Sequence, residues 1–355
     1  MTEKKDLKWE LEALYASYGY EKYRMAGFEE YALYLENKSF LTSDKMITFN
    51  DLDGRLMALK PDVTLSIVKN ALPASGVGKY YYTESVFRPN RASDGFKELT
   101  QTGLEAIGDI DAVTVTEAVE LALKSLEHAG GEYVLVLSDV RFTEGLVHAV
   151  GKGAELKEEL RDVIAKKRTG EVEKISEKYS LRKGDAKTIS EVINLPPEPL
   201  KALDKASKYA FGKEANIAID ELRALVCAFS GTRYAKKIQI DFSITGNTNY
   251  YNGILFSGYI EGIAGGVLKG GRYDKLVGEE GKGAVGFALY TDEITEKYFS
   301  EARFADVVID YDGTDIGKLL ASANALRAGG KSVTLVRGGK ADYKFRKGEL
   351  IKNER

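Results

Sequence analysis

At 355 residues the chain exceeds the roughly 100 to 200 residues of one ordinary domain, so two or three units are expected. Apolar residues make up 44% and charged residues 30%, a globular mixture rather than a disordered or fibrous one. A formal net charge of −3 supplies no global positive field for nucleic acid or an anionic membrane, the lone Cys227 excludes an internal disulfide, and no Cys/His spacing marks a metal site.

The chain opens MTEKKDLKWELEALYASYGY, charged and amphipathic, with no apolar run for a signal peptide or membrane span; a cytoplasmic protein is expected. Leu7, Leu11, Leu14 and Tyr15 recur at helical spacing and Gly19 supplies a stop, which predicts one opening helix. Met46 to Phe49 and Leu56 to Leu59 bracket Asp51, Asp53 and Gly54 as a hairpin. Pro61 to Asn70 reads as a helix entered at a proline. Lys79 to Arg88 and Glu98 to Ile107 form a long hairpin, Thr114 to Ala129 a helix ended by Gly130 and Gly131, and Tyr133 to Leu137 a strand.

From about 151 to 210 the composition shifts to Lys, Glu, Ala and Leu at helical period, a helical insertion with a solvated face over Glu155 to Lys178. Strand character returns at Lys237 to Ile244, Ile254 to Ile260 and Gly266 to Leu268, and a helix starts near Asp292. A small βαβ pattern follows: strand Asp306 to Tyr311, helix Thr314 to Arg327, strand Lys331 to Arg337; beyond Gly339 no periodicity is evident. The stretch ALRAGGKS, Ala325 to Ser332, matches a loose phosphate-loop pattern, but a helix precedes it and a strand follows, the reverse of the order that motif needs.

Three stretches together resemble histidyl-tRNA synthetases and their non-charging relatives: LMALKPDVTLSIVKN from Leu56, YYYTESVFRPNRASDGFKELTQTGLEAIG from Tyr80, and FSITGNTNYYNGILFSGYI followed by AGGVLKGGRYDKL. The resemblance implies an α+β class II synthetase-like fold, an antiparallel sheet flanked by helices, over residues 1–300 with the insertion inside it. A truncated C-terminal α/β segment would occupy 301–355. It further implies a histidine pocket built from Asp62, Thr64, Arg88, Gln101, Glu105, Tyr250 and Tyr251. The residue types suit that ligand, since an ammonium wants a carboxylate and hydroxyl and a carboxylate wants an arginine.

Each assignment has a plainer alternative. Arg88 could pair with Glu98 or Glu105 across its hairpin, Asp62 could be a first-turn carboxylate, and one of the tyrosine pair could be packing, since neighbours on a strand face opposite ways. The glycines from Gly262 to Gly271 read as bulges or close backbone approach rather than a phosphate loop.

The same resemblance exposes departures where ATP would be held. Asn90 stands where the family has a glutamate, Gly246 where it has an arginine, and Glu293 where a final arginine belongs. Amino-acid activation needs cations on the phosphates. The pattern reads as a ligand pocket without a reaction and with no cofactor. Among such relatives the regulatory subunits of ATP phosphoribosyltransferase match best. That implies a partnership with the short-form catalytic phosphoribosyltransferase, a dimer paired through about Ser17 to Asn50, L-histidine as ligand, and no tRNA. The competing readings are an activating ligase in which Lys60, Lys97 or Arg272 supplies the missing charge, and a binding module with no histidine role.

Overall fold

A computed structural model describes residues 6–41, 43, 45–90, 95–245, 250–299, 305–313 and 315–353. The chain divides between Tyr298 and Phe299 into two compact units.

The larger unit is the α+β fold expected, built on an eight-stranded sheet. Its strands lie in the order Glu21–Lys22, Val77–Pro89, Phe96–Gly108, Gly283–Tyr290, Leu268–Arg272, Ile254–Ile260, Tyr133–Asp139 and Ile238–Ile240. The outermost pair at each end is parallel and every inner pair antiparallel.

Two helices cover one face. Leu7–Ser17, capped by Asp6 accepting from the Lys8 amide, buries Leu7, Leu11 and Tyr15, and the Tyr15 hydroxyl reaches Ser125 at 2.8 Å. Each fully buried side chain of that kind contributes about 1.5–3 kcal/mol. Ala112–Ala129 is capped by Asp111 and stops at Gly130, whose φ of 87° a side chain would resist.

Several boundaries differ from those read in the sequence. The helix after Pro61 starts at Thr64, because Pro61 to Val63 stay outside it and Asp62 instead accepts the Leu65 amide at 3.1 Å. The hairpin Thr48–Asn50 and Leu56–Leu59 gains a third strand, Phe28–Glu30, followed by an unexpected short helix Tyr31–Glu36. Six helices run from Val140 to Ala228, so the helical excursion begins before 151 and ends after 210. Its charged face is as expected, with Lys178 held between Glu155 and Glu159. The expected helix near Asp292 is one turn, Asp292–Ile294, leading into a π-helical turn, Thr295–Phe299.

The largest omission is the strand Gly283–Tyr290. It lies in the middle of the sheet, buried on both faces, and its apolar run carries no alternation to mark it.

In the smaller unit the strands run in the order Val333–Val336, Val307–Tyr311, Tyr343–Arg346 and Glu349–Lys352. The first three are parallel, and Val307, Ile309 and Phe345 pack with Leu319 and Ala323 of the helix Ile316–Ala328. The helix precedes Val333–Val336, so the Gly-Lys-Ser stretch has the order that rules out a phosphate loop. The closing hairpin, unexpected from sequence, turns on Lys347 and Gly348, both at positive φ. Among the described residues no helix is long and apolar enough to cross a membrane, and no cluster of His, Cys, Asp or Glu could hold a metal ion.

Candidate functional site

Antiparallel register places the site residues in rows on one face of the sheet. Glu84, Gln101 and Tyr290 stand opposite one another; two residues along come Tyr82, Gly103, Ala288 and Lys269; two further come Tyr80, Glu105, Gly286 and Gly271. The segment from Pro61 to Thr64 and the loop at Tyr250 and Tyr251 close over these rows.

Glu105 lies at the buried end. Thr64 donates to one of its oxygens at 2.6 Å, and the hydroxyls of Tyr273 and Tyr82 also bond it. Burial nevertheless outweighs those donors and, with Asp62 nearby, pushes its carboxyl up to about 8. Gly286 is what makes room, since a Cβ there would lie 1.7 Å from a Glu105 oxygen. Around it, the Tyr250 ring is 4.6 Å from Tyr251 and 5.1 Å from Tyr273. Burial raises all three hydroxyls far above their ordinary range, so they act as neutral hydrogen-bonding groups.

Arg88 sits nearer the mouth. Its Nε donates to the Pro61 carbonyl at 2.8 Å, and its two terminal nitrogens donate to Tyr290 and to Asp62, each at 3.2 Å. The guanidinium therefore pairs with Asp62 rather than with Glu98 or Glu105 across the hairpin. Asp62 has both of the roles weighed for it, bonding the Leu65 amide with one oxygen and Arg88 with the other. Gln101 is buried beside Tyr290, and its side-chain oxygen accepts no hydrogen bond among the described residues.

All seven expected pocket residues thus gather on one side of the sheet. Tyr250 and Tyr251 do so differently from the expectation, for they precede the strand Ile254–Ile260 rather than alternating along it, and both rings join one cluster. Tyr273 and Tyr290 were missed. The Gly-Gly-Arg-Tyr-Asp stretch held a signal for Tyr273; Tyr290 had none without its strand.

Of the altered positions, Asn90 follows the hairpin strand Val77–Pro89, its amide donating to the Gly95 carbonyl, and Glu293 is exposed on the turn after Tyr290, neither bringing positive charge. Gly246 lies outside the described residues. Two of the cations considered as substitutes are already matched by carboxylates: Lys60, 5% exposed, by Glu84, and Arg272 by Asp274 at 2.8 Å. Gly270 and Gly271 mark close backbone approach, as expected, each 2.5 Å or less from a neighbouring carbonyl oxygen if given a Cβ. A separate cleft of about 420 Å3 lined by Lys8, Lys60, Thr83, Ser85 and Thr100 contains none of the seven pocket residues.

A buried carboxyl among tyrosines, with a threonine and an aspartate beside it, lies on the antiparallel sheet of a class II synthetase-like fold. The histidyl-tRNA synthetase family model matches residues 1–294, and the chain belongs to that family. Within it, the chain is similar to proteins named ATP phosphoribosyltransferase regulatory subunit. The relative from Clostridium acetobutylicum is 29% identical, covering 89% of this chain and 81% of its own, and that from Bacillus thuringiensis is 26% identical over 93% and 81%.

Solved structures agree in fold. A regulatory subunit/histidyl-tRNA synthetase from Bacillus halodurans matches with TM-score 0.78 at 20% identity, covering 94% of this chain and 88% of that one. A chain of the ATP phosphoribosyl transferase (HisG:HisZ) complex from Thermotoga maritima matches with TM-score 0.65 at 17% identity, over 80% and 96%.

Proposed function

We propose that this chain is a non-catalytic regulatory subunit of ATP phosphoribosyltransferase, which activates a short-form catalytic subunit and conveys histidine feedback in the cytoplasm. The observation that carries the reading is the fate of positive charge. Arg88 is neutralised by Asp62, while Asn90 and Glu293 offer no cation where a triphosphate would need one. The pocket keeps groups suited to an amino acid: Asp62 and Thr64 for an ammonium, Glu105 and the tyrosines for a polar ring. The names of the relatives support the same assignment.

Feedback on this reading is a difference in histidine affinity between two assembly states, typically about 1–3 kcal/mol. Self-association is part of the proposal. The three-stranded sheet leaves Phe28, Phe49 and Leu56 exposed, with the two phenylalanine rings 5.2 Å apart, an apolar surface in or beside the Ser17 to Asn50 region through which a dimer would pair.

The test is reconstitution with a short-form phosphoribosyltransferase. Activity should rise on adding this chain and fall again as histidine is titrated, and the chain alone should catalyse no histidine-dependent exchange between ATP and pyrophosphate. Robust exchange would favour the ligase reading; no histidine binding and no complex with the phosphoribosyltransferase would favour a binding module with no histidine role.

A further inference from the structure

With Arg88 held by Asp62, Pro61 and Tyr290, the pocket needs another cation if its ligand carries a carboxylate. Lys269 is placed to be that cation. It belongs to Leu268–Arg272, an inner strand of the eight-stranded sheet, and shares its row and face with Ala288, Gly103 and Tyr82. Its neighbours on the strand, Leu268, Gly270 and Gly271, are buried, whereas the lysine side chain is exposed. Among the described residues no carboxylate lies within ion-pairing distance of it.

The floor next to it is small. Ala288, partly exposed despite lying in the sheet centre, adds only a methyl group, and beyond it the Tyr82 ring lies over Gly103, its hydroxyl 2.7 Å from where a Cβ there would stand. Strands about 4.8 Å apart bring the Ala288 position within reach of a lysine side chain. One row along the next strand, the unpartnered oxygen of Gln101 offers an ammonium a further acceptor in addition to Asp62 and Thr64. A cation and an acceptor one row apart match the two charged groups of an α-amino acid, with Glu105 on the row beyond Ala288 for its side chain.

We infer that Lys269 binds the α-carboxylate of the amino acid held in this pocket. The inference rests on the proposed histidine pocket and makes Lys269, not Arg88, the residue that separates an amino acid from its decarboxylated amine. Calorimetry on the full chain with L-histidine and with histamine tests it, using the wild type, Lys269→Met and Lys269→Arg. Lys269→Met should weaken L-histidine by about tenfold or more, leave histamine unchanged, and be rescued in large part by Lys269→Arg. L-histidine affinity left intact by Lys269→Met, or an equal loss for both ligands, would overturn the assignment while the pocket reading stood. A wild-type chain that binds neither ligand would overturn both.

Discussion

Glu105 links the pocket to the stability of the whole unit through one proton. In the unfolded chain the carboxyl titrates near its ordinary value of 4.5, and in the fold burial holds the proton up to about 8. The folded state therefore binds the extra proton between those values. The stability it confers is fully present below the lower value and is lost as pH rises through the upper one, a swing of a few kcal/mol. Denaturant titrations at about pH 5 and about pH 9 should show this decline in the wild type and a flatter profile in Glu105→Gln. Equal slopes in the two proteins would mean that the carboxyl is already ionised in the fold. Asp62, Thr64, Arg88 and Glu105 were legible in the sequence because their neighbours form recognisable stretches. Which partner Arg88 takes was not, since two carboxylates on its own hairpin, Glu98 and Glu105, are nearer along the chain than Asp62.

At the scale of elements, the strand Gly283–Tyr290 holds the site together, with Phe96–Gly108 on one side and Leu268–Arg272 on the other. Its glycine at 286 is fixed by contact, because an added methyl would meet both the Leu104 carbonyl at 2.3 Å and the Glu105 carboxyl. Gly286→Ala should cost about 2 kcal/mol or more in unfolding free energy, read by urea denaturation, and should weaken histidine binding by displacing Glu105. Helices with caps and clear period, such as Ala112–Ala129, were readable to within a few residues, since their signals are local. Gly283–Tyr290 was not: a strand buried on both faces has no alternation, and its register is set by partners far away in sequence. The last hairpin failed for another reason, its short strands being rich in charge, although Lys347 and Gly348 at its turn were a usable sign.

For the whole molecule, the exposed pair Phe28 and Phe49 gives the proposed dimer a specific weak point. Phe49→Asp should shift the chain from dimer to monomer in sedimentation velocity without loss of helical circular dichroism; an unchanged sedimentation coefficient would place the contact elsewhere. The six helices from Val140 to Ala228 bear on how the pocket comes into being. They separate the segment that supplies Asp62 through Glu105 from the one that supplies Tyr250 through Tyr290, so the two walls are neighbours in space and strangers along the chain. Local helical contacts form early and such distant pairing late, after the entropy of closing a long loop has been met. A ligand gripping both walls then acts as a clasp on the last joint to form, slowing unfolding far more than it hastens folding.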